Sequence, residues 1–461
     1  MAMVVKNNMS AINTLNTLNT NSNALTKSLA KVSSGMKING AADDASGYAI
    51  SERMRVQIRG LDQANANTQN GSSMMKTAEG AVSSTVDILK TLKEKVISAA
   101  NDDKTDADRA AIQKELDQSI DQINDNANIT YNGKYLVDGS HNSSVIQTTT
   151  AMTNQMLNTS TTSTTAFADM TDRNGNRLNI QSLDTVTVSF VHQGVTYTTS
   201  FRAGAAVGGT DGKITGPESH SMSSLLTLAN AEFRAKNTAG AFQNKDLFST
   251  TIQTTAYIGK DVAQDTVKTA SGQHAMTISA NTSGVSGQVS GFTISVSNTK
   301  GQIQKSINAV LDNFDESIRA QNKSDDNQIT LQVGTKANQS IRVGLTDMRS
   351  EALGLSSSTG QTLQVGTQAQ ANAAINVLDN AVQKALDQQT TIGAIQSRLE
   401  YTSSNLTTSS QNVQASESTI RDADMAKEMT NYPKNNVLLQ AAQSMLAQAN
   451  QSSSSVLSLL Q

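Results

Sequence analysis

The sequence predicts a mainly α fold with an α+β insertion. Both termini form a long antiparallel helical rod or coiled coil, the rod carries a small β-hairpin, and an outward-facing mixed α/β domain occupies the middle. Three observations predict it. Apolar residues recur in alternating steps of three and four near both ends, which is the spacing of a heptad seam. Only two prolines, Pro217 and Pro433, occur in 461 residues, so long helices meet little opposition. Between the ends the pattern changes to strict alternation, the signature of half-buried strands.

The first seam is Leu18, Leu25, Leu29, Val32 and Met36, with Ser22 at the missing position and a similar stripe upstream at Val5, Met9, Ile12 and Leu15. A helix of this length runs roughly 50 Å at about 1.5 Å per residue. At the other end Leu438, Ala442, Met445, Ala449, Ser452, Val456 and Leu459 repeat the pattern. No acid precedes Asp43 and none follows Glu428. Two longer runs lie inside these ends. One is Met75, Ala78, Val82, Thr85, Leu89, Leu92, Val96 and Ala99; the other steps from Ile375 through Leu378, Ala385, Ile392, Leu399 and Leu406 to Val413. A shorter helix is expected through Ile112, Leu116, Ile120, Ile123 and Ala127, with Asp102, Asp103, Thr105 and Asp106 as candidate caps. Three such narrow-striped helices can make a bundle.

In the middle, Val186, Val188 and Phe190 alternate with polar residues, His192-Gln193-Gly194 makes a turn, and Val195, Tyr197 and Phe201 continue as a second strand. A helix is expected near Leu225 to Arg234, a strand through Phe292, Ile294 and Val296, and a helix through Ile303, Ile307, Val310, Phe314 and Ile318. Ile329, Leu331 and Val333 face Ile341, Val343 and Leu345 across a Gly334–Asn338 turn, the hairpin of the rod.

Composition limits the chemistry. With no cysteine there is no disulfide framework, thiolate metal site or cysteine nucleophile. A net charge of −3 gives no basic bias toward nucleic acid. No stretch of about 18 apolar residues occurs, so no membrane insertion is expected, and Met1 to Ser10 does not read as a cleavable signal peptide. Aromatic residues are only 3 %, so burial must rest on many small and medium side chains.

Candidate sites are few. The histidines at 141, 192, 220 and 274 have no partner at metal-ligating spacing and no H-E-x-x-H occurs, so no metal or catalytic site is assigned and they read as surface or structural. The glycines from Gly209 to Gly216 lack the Gly-Lys-Ser/Thr ending of a phosphate loop, and no cofactor is expected. Asp43 and Asp44, just before a helix around Tyr48 to Ile58, read as caps rather than paired catalytic acids. Glu52, Arg53, Arg55 and Arg59 read as a solvated or intersubunit charged face. Asn158 to Thr165 reads as a flexible surface loop or, more sharply, as an O-glycosylated surface.

The motifs at both ends resemble those of bacterial flagellin. In the first part they are Val32-Ser-Ser-Gly-Met-Lys-Ile-Asn-Gly-Ala-Ala-Asp-Asp-Ala-Ser-Gly47, Glu79-Gly-Ala81 and Tyr131-Asn-Gly-Lys134. In the last part they are Leu331-Gln-Val-Gly334, Ala352-Leu-Gly-Leu355, Arg398-Leu-Glu400, Met445-Leu-Ala-Gln-Ala-Asn-Gln451 and Val456-Leu-Ser-Leu-Leu460. The resemblance covers roughly residues 1–140 and 327–461. It implies an inner terminal coiled coil (1–40 and 425–461), a helical rod with a β-hairpin (41–141 and 327–424) and a variable outer domain (142–326). It also implies a subunit that polymerises with copies of itself into a hollow extracellular filament used for swimming. Such a subunit is exported unfolded through the flagellar type III apparatus without cleavage of a signal. Its partners would be the cap and hook-junction proteins and an export chaperone at the C-terminal helix. The assembly interface would include Leu18, Leu25, Leu29, Val32, Leu438, Met445, Val456 and Leu459. Helices this rich in Asn, Ser and Thr are marginal alone, so 1 to about 40 and about 425 to 461 are expected to order only on assembly. A hook–filament junction protein, or a subunit with an adhesive carbohydrate-binding outer domain, are the alternatives.

Two departures from the pattern matter. Pro433 stands where the family continues a helix, and first-turn placement is expected because proline is tolerated there. In Leu89-Lys-Thr-Leu-Lys-Glu-Lys-Val-Ile-Ser98, Thr91 and Lys95 occupy the places of an arginine and a leucine that the flagellin-sensing Toll-like receptor of animals grips. Loss of a planar, multidentate donor is not conservative, and weak receptor activation is expected.

Overall fold

The computed structural model describes residues 8–204, 220–237, 242, 245–249 and 251–459. Val5, Pro217, the Gly209–Gly216 turn and the side chains of Val456 and Leu459 lie outside the described residues. The residues fall into two compact units, one drawn from Met1–Asn70, Gln332–Ser340 and Leu399–Gln461, the other from Gly71–Leu331 and Ile341–Arg398.

Helix α1 spans Met9–Ser34. Asn8 caps it by accepting the Ala11 N–H at 3.0 Å, and Gly35 ends it in the left-handed conformation at φ +70°. Met36, expected on the same helical seam, therefore lies beyond the helix, where it bridges Asp422. Helix α2 spans Ala45–Ala99 without interruption, so the segments expected around Tyr48 and Met75 are one element of 55 residues. All eight positions of its expected run from Met75 to Ala99 are buried. Helix α3 (Asp106–Ala127) starts with a reciprocal capping box in which Thr105 Oγ accepts the Asp108 N–H and Asp108 accepts the Thr105 N–H. The Thr105 N–H and, at 2.8 Å, the Thr105 hydroxyl both donate to the Asp108 carboxylate and hold it below the usual range. Leu116, Ile120, Ile123 and Ala127 form its buried stripe.

Strands β1 (Thr130–Tyr131) and β2 (Lys134–Tyr135) turn through Asn132 and Gly133, both at positive φ. There follow β3 (Ala151–Asn154), β4 (Thr185–His192), β5 (Val195–Arg202), α4 (Met222–Lys236), β6 (Gln253–Thr255), β7 (Tyr257–Lys260), β8 (Thr266–Lys268), β9 (Ala275–Ser279), β10 (Val289–Ser297), α5 (Lys305–Leu311) and β11 (Phe314–Ile318). The expected hairpin is present: β4 and β5 pair antiparallel about Gln193 and Gly194. Their φ values of 49° and 75° match the turn that the right-handed twist of two strands prefers. The larger sheets are β10-β4-β5 and β11-β3-β9-β6, and β7 pairs with β8. All eight phenylalanines of the chain lie between 167 and 314. Phe167, Phe190, Phe233, Phe248 and Phe292 are fully buried, and Phe190 stacks on Tyr197 at 5.1 Å while meeting Phe248 edge-on at 5.0 Å. His192 belongs to this core. Its Nδ1 faces the Gln288 carbonyl at 2.9 Å and burial pushes its imidazole down to about 4, so it is neutral.

One element differs from expectation. The spacing Ile303, Ile307, Val310, Phe314, Ile318 is not one helix: α5 stops at Leu311 and Phe314–Ile318 is strand β11. The Asn154 side chain donates to the carbonyls of Val310 and Leu311 at 2.8 and 3.4 Å, satisfying the end of α5. Phe314 then packs edge-on against Phe292, and β11 pairs with β3. Tertiary pairing overrides a periodicity that was accidental beyond Val310.

Strands β12 (Ile329–Gln332) and β13 (Ser340–Val343) form the hairpin expected in the rod. Helix α6 runs Gln368–Arg421 and buries Leu378, Ala385, Ile392, Leu399 and Leu406. Strand β10 lies close to it at Gly291, where an added Cβ would sit 2.8 Å from Val377 Cγ2 and 3.1 Å from the Ala373 carbonyl. Helix α7 spans Met425–Leu459 and contains Pro433 in its interior, about two turns in, not in the first turn. Proline there leaves the Met429 carbonyl without its helical donor.

Candidate assembly surface

Helices α1 and α7 pack antiparallel in one unit. Asn8 donates to the Ala449 carbonyl (3.2 Å), Asn21 to the Leu438 carbonyl (3.2 Å) and Asn435 to Ser28 Oγ (2.9 Å). The face that α1 turns inward follows Ala11, Thr14, Leu18, Asn21, Leu25, Ser28 and Val32. On α7 it follows Tyr432, Asn435, Leu439, Ala442, Leu446 and Ala449. Both are heptad lines, but small and polar residues fill half of each. Leu18, Leu25 and Val32 thus lie half-buried on this intrachain seam. Leu29 does not; it is 50 % exposed, and on the same helix Met9 is 61 %, Ile12 46 % and Leu15 45 % exposed. On α7 Leu438 is 43 % and Met445 59 % exposed, together with Met429 and Val437. The residues named for the interface therefore divide into an inner set and an outer set, with Val456 and Leu459 in the last turns of α7.

A clasp fixes where this helix pair begins. The Lys37 N–H donates to the Arg421 carbonyl (2.7 Å) and the Ala423 N–H to the Gly35 carbonyl (2.9 Å). The buried Arg421 guanidinium donates to Ser51 Oγ (3.0 Å) and Glu52 Oε1 (2.8 Å), and lies 5.6 Å from the centre of the Tyr48 ring. Its hydrogen bond holds the Glu52 carboxyl below the usual range. Asp44 accepts the N–H groups of Ser46 and Gly47 at 3.0 Å and so caps α2, whereas Asp43 accepts those of Asn39 and Gly40 at 3.0 and 3.3 Å and braces the preceding turn instead of the helix. An added Cβ on Gly47 would sit 2.7 Å from Ile38, which is buried beneath the turn. Glu52 is thus tied within the chain rather than standing on a free charged face. Arg421 was missed in the sequence because a single arginine at a helix end carries no periodic or motif signal.

In the other unit Thr91 is exposed on α2 and its hydroxyl donates to the Asp87 carbonyl at 3.0 Å, while Lys95 pairs with Glu115 at 3.0 Å. The 158–165 loop is ordered by its own side chains: Asn158 Oδ1 accepts from Ser160 N–H and Oγ, and Thr165 Oγ from the Thr162 N–H. Among the described residues no group of three or more His, Cys, Asp or Glu could hold a metal ion, and no helix is long and apolar enough to cross a membrane.

Comparison with known proteins agrees with this layout. Residues 5–142 match the bacterial flagellin N-terminal helical region and residues 375–460 the bacterial flagellin C-terminal helical region. The chain is 34 % identical to a flagellin of Clostridium tyrobutyricum, covering 97 % of this chain and 99 % of that protein. It is 29 % identical to a flagellin of Bacillus subtilis (strain 168), covering 99 % and 100 %. Among solved structures, hook-associated protein 3 from Legionella pneumophila aligns with a TM-score of 0.32 at 15 % identity over 79 % of this chain and 97 % of that one. A score this low carries no argument, and kinship rests on the sequence matches. The chain belongs to the flagellin family, structural subunits of the bacterial flagellar filament.

Proposed function

We propose that the outer faces of α1 and α7, centred on Leu29, Leu438 and Met445, join each subunit to its neighbours in the filament, while Leu18, Leu25 and Val32 hold the two helices of one subunit together. The same role is assigned to Val456 and Leu459 from their place in the heptad pattern of the sequence. The observation that carries this reading is the exposure of Leu29 and Met445, 50 % and 59 %, on helices whose own seam lies elsewhere. Full burial of such a side chain is worth about 1.5–3 kcal/mol, so a repeated contact of several per subunit can offset the cost of ordering the ends. On this reading 1–40 with 425–461 form the inner layer, 41–141 with 327–424 the rod layer, and 142–326 the outer domain. The subunit is not an enzyme. It is exported without a cleaved signal, meets a chaperone through α7, and adds beneath a cap and beyond the hook junction. The exposed hydroxyls of Thr159, Ser160, Thr162 and Thr164 are the candidate O-glycan acceptors.

Electron microscopy of salt-nucleated protein tests the central point. The wild type forms long tubes alone, as a junction protein would not. Leu29→Asp combined with Met445→Asp abolishes the tubes while leaving the circular dichroism of the monomer unchanged. Tubes of normal yield from that variant would refute the assignment. The exposed Thr91 and the ion-paired Lys95 support weak activation of the flagellin-sensing Toll-like receptor. A reporter-cell titration of purified monomer should show potency well below that of a subunit with arginine and leucine at these positions, and equal potency would rule it out.

A further inference from the structure

The middle sheet meets α6 at a cluster of charged side chains in which Glu316 is buried, Arg319 and Lys384 are half-buried and Asp387 is exposed. Glu316 sits on β11 opposite Met152, with its side chain 5 % exposed. Its Oε2 lies 3.6 Å from Arg319 Nε, and its Oε1 is buried without a hydrogen-bond partner. Arg319 reaches across to α6 and donates to Asp387 Oδ2 at 2.8 Å. Lys384, one helical turn before Asp387, donates to the Ala352 carbonyl at 2.7 Å. It also lines a cavity of about 170 Å³ shared with Asp138, Asn142, Lys323, Thr346 and Asp347. A polar cavity of that size has room for several waters beside Lys384.

We infer that Glu316, Arg319, Asp387 and Lys384 form a proton-sensitive latch that fastens strand β11 of the middle sheet to helix α6, closed in mildly acidic solution and loosened toward neutral pH. The surroundings of Glu316 explain the direction. Its partner strand β3 carries no ionisable residue, and on β7 Tyr257 and Lys260 are exposed, as is Asp315 on its own strand. Among the described residues the cations that act on it are Arg319 and Lys384. Burial outweighs both and pushes the Glu316 carboxyl up from 4.5 to about 7. Burial likewise lowers Lys384 from 10.5 to about 8, against the pull of Glu316 and Asp347 and with the repulsion of Arg319. The carboxyl favours the closed strand when protonated. Its contribution is complete below 4.5 and is lost as pH rises through 7. The lysine acts oppositely, penalising the closed strand below about 8 and relieving that penalty between 8 and 10.5. Between pH 5 and 7 the Glu316 carboxyl by itself should raise the opening constant of β11 about thirtyfold, with Lys384 altering that by only about a tenth, while Asp312, which burial raises to about 6, lies at the end of α5 outside the strand.

The latch lies within one chain, so purified full-length monomer suffices. Hydrogen exchange of the amides in Ala151–Asn154 and Phe314–Ile318, corrected for the intrinsic pH dependence of exchange, should show the thirtyfold loss of protection in the wild type. In Glu316→Gln the loss should shrink below about threefold. Should that variant not fold, titration of ¹³C-labelled glutamate carboxyls in the wild type decides alone: a Glu316 midpoint near 7 supports the latch. A midpoint near 4.5, or the same pH dependence in wild type and variant, overturns it. Failure here would leave the filament reading untouched, since that stands on α1 and α7.

Discussion

Two heptad runs in this chain look alike in sequence and behave differently in the fold. In α2 the run from Met75 to Ala99 closes entirely inside its own chain, and Met75, Val82, Leu89 and Val96 are all fully buried. In α1 the run closes only in part: Leu18, Leu25 and Val32 turn toward α7, while Leu29 and the upstream Met9, Ile12 and Leu15 remain outside. The intrachain seam of α1 is instead completed by Ala11, Thr14, Asn21 and Ser28. A seam with small and polar residues at half its positions buries little area per turn. The difference teaches that the apolar stripe and the intramolecular seam need not coincide, and that where they diverge the stripe is available to another molecule.

Substitutions in the two runs should have unequal effects on the monomer. The largest effect on the monomer is expected from Leu89→Ala, whose fully buried side chain leaves a cavity; chemical denaturation should show a loss of about 2–5 kcal/mol. Thr105→Ala removes the hydroxyl of the α3 capping box and should cost about 1 kcal/mol in the same assay. Leu29→Ala comes last, with a change within about 0.5 kcal/mol in the monomer. A loss at Leu29 as large as that at Leu89 would mean that α1 buries this residue within one subunit, and the contrast would fail.

What the sequence disclosed follows from where each signal is local. The α2 run and the β4–β5 hairpin were legible because their period and turn residues are contained in a few consecutive positions. The extent of α2 was not, since polar stretches between Ile58 and Met75 conceal a continuous helix. The Ile303–Ile318 segment misled because a three-and-four spacing survives by chance across a helix end. Asn154, distant in sequence, marks that end by capping α5. Pro433 misled in the opposite way, because proline's preference for a first turn is weaker than the packing of α7 along α1. The family motifs disclosed the assembly role, but not which face of α1 would be left outside. Nor did they disclose Arg421, whose partners Ser51, Glu52 and Tyr48 are brought to it only by the fold.

On the proposed assembly, α1 and α7 obtain from neighbouring subunits the burial that they lack in one. Hydrogen exchange on Met9–Ser34 and Met425–Leu459, compared between monomer and filament, tests it most directly. Rapid exchange in the monomer and strong protection in the filament is the predicted result. Protection of both segments in the monomer equal to that in the filament would contradict it.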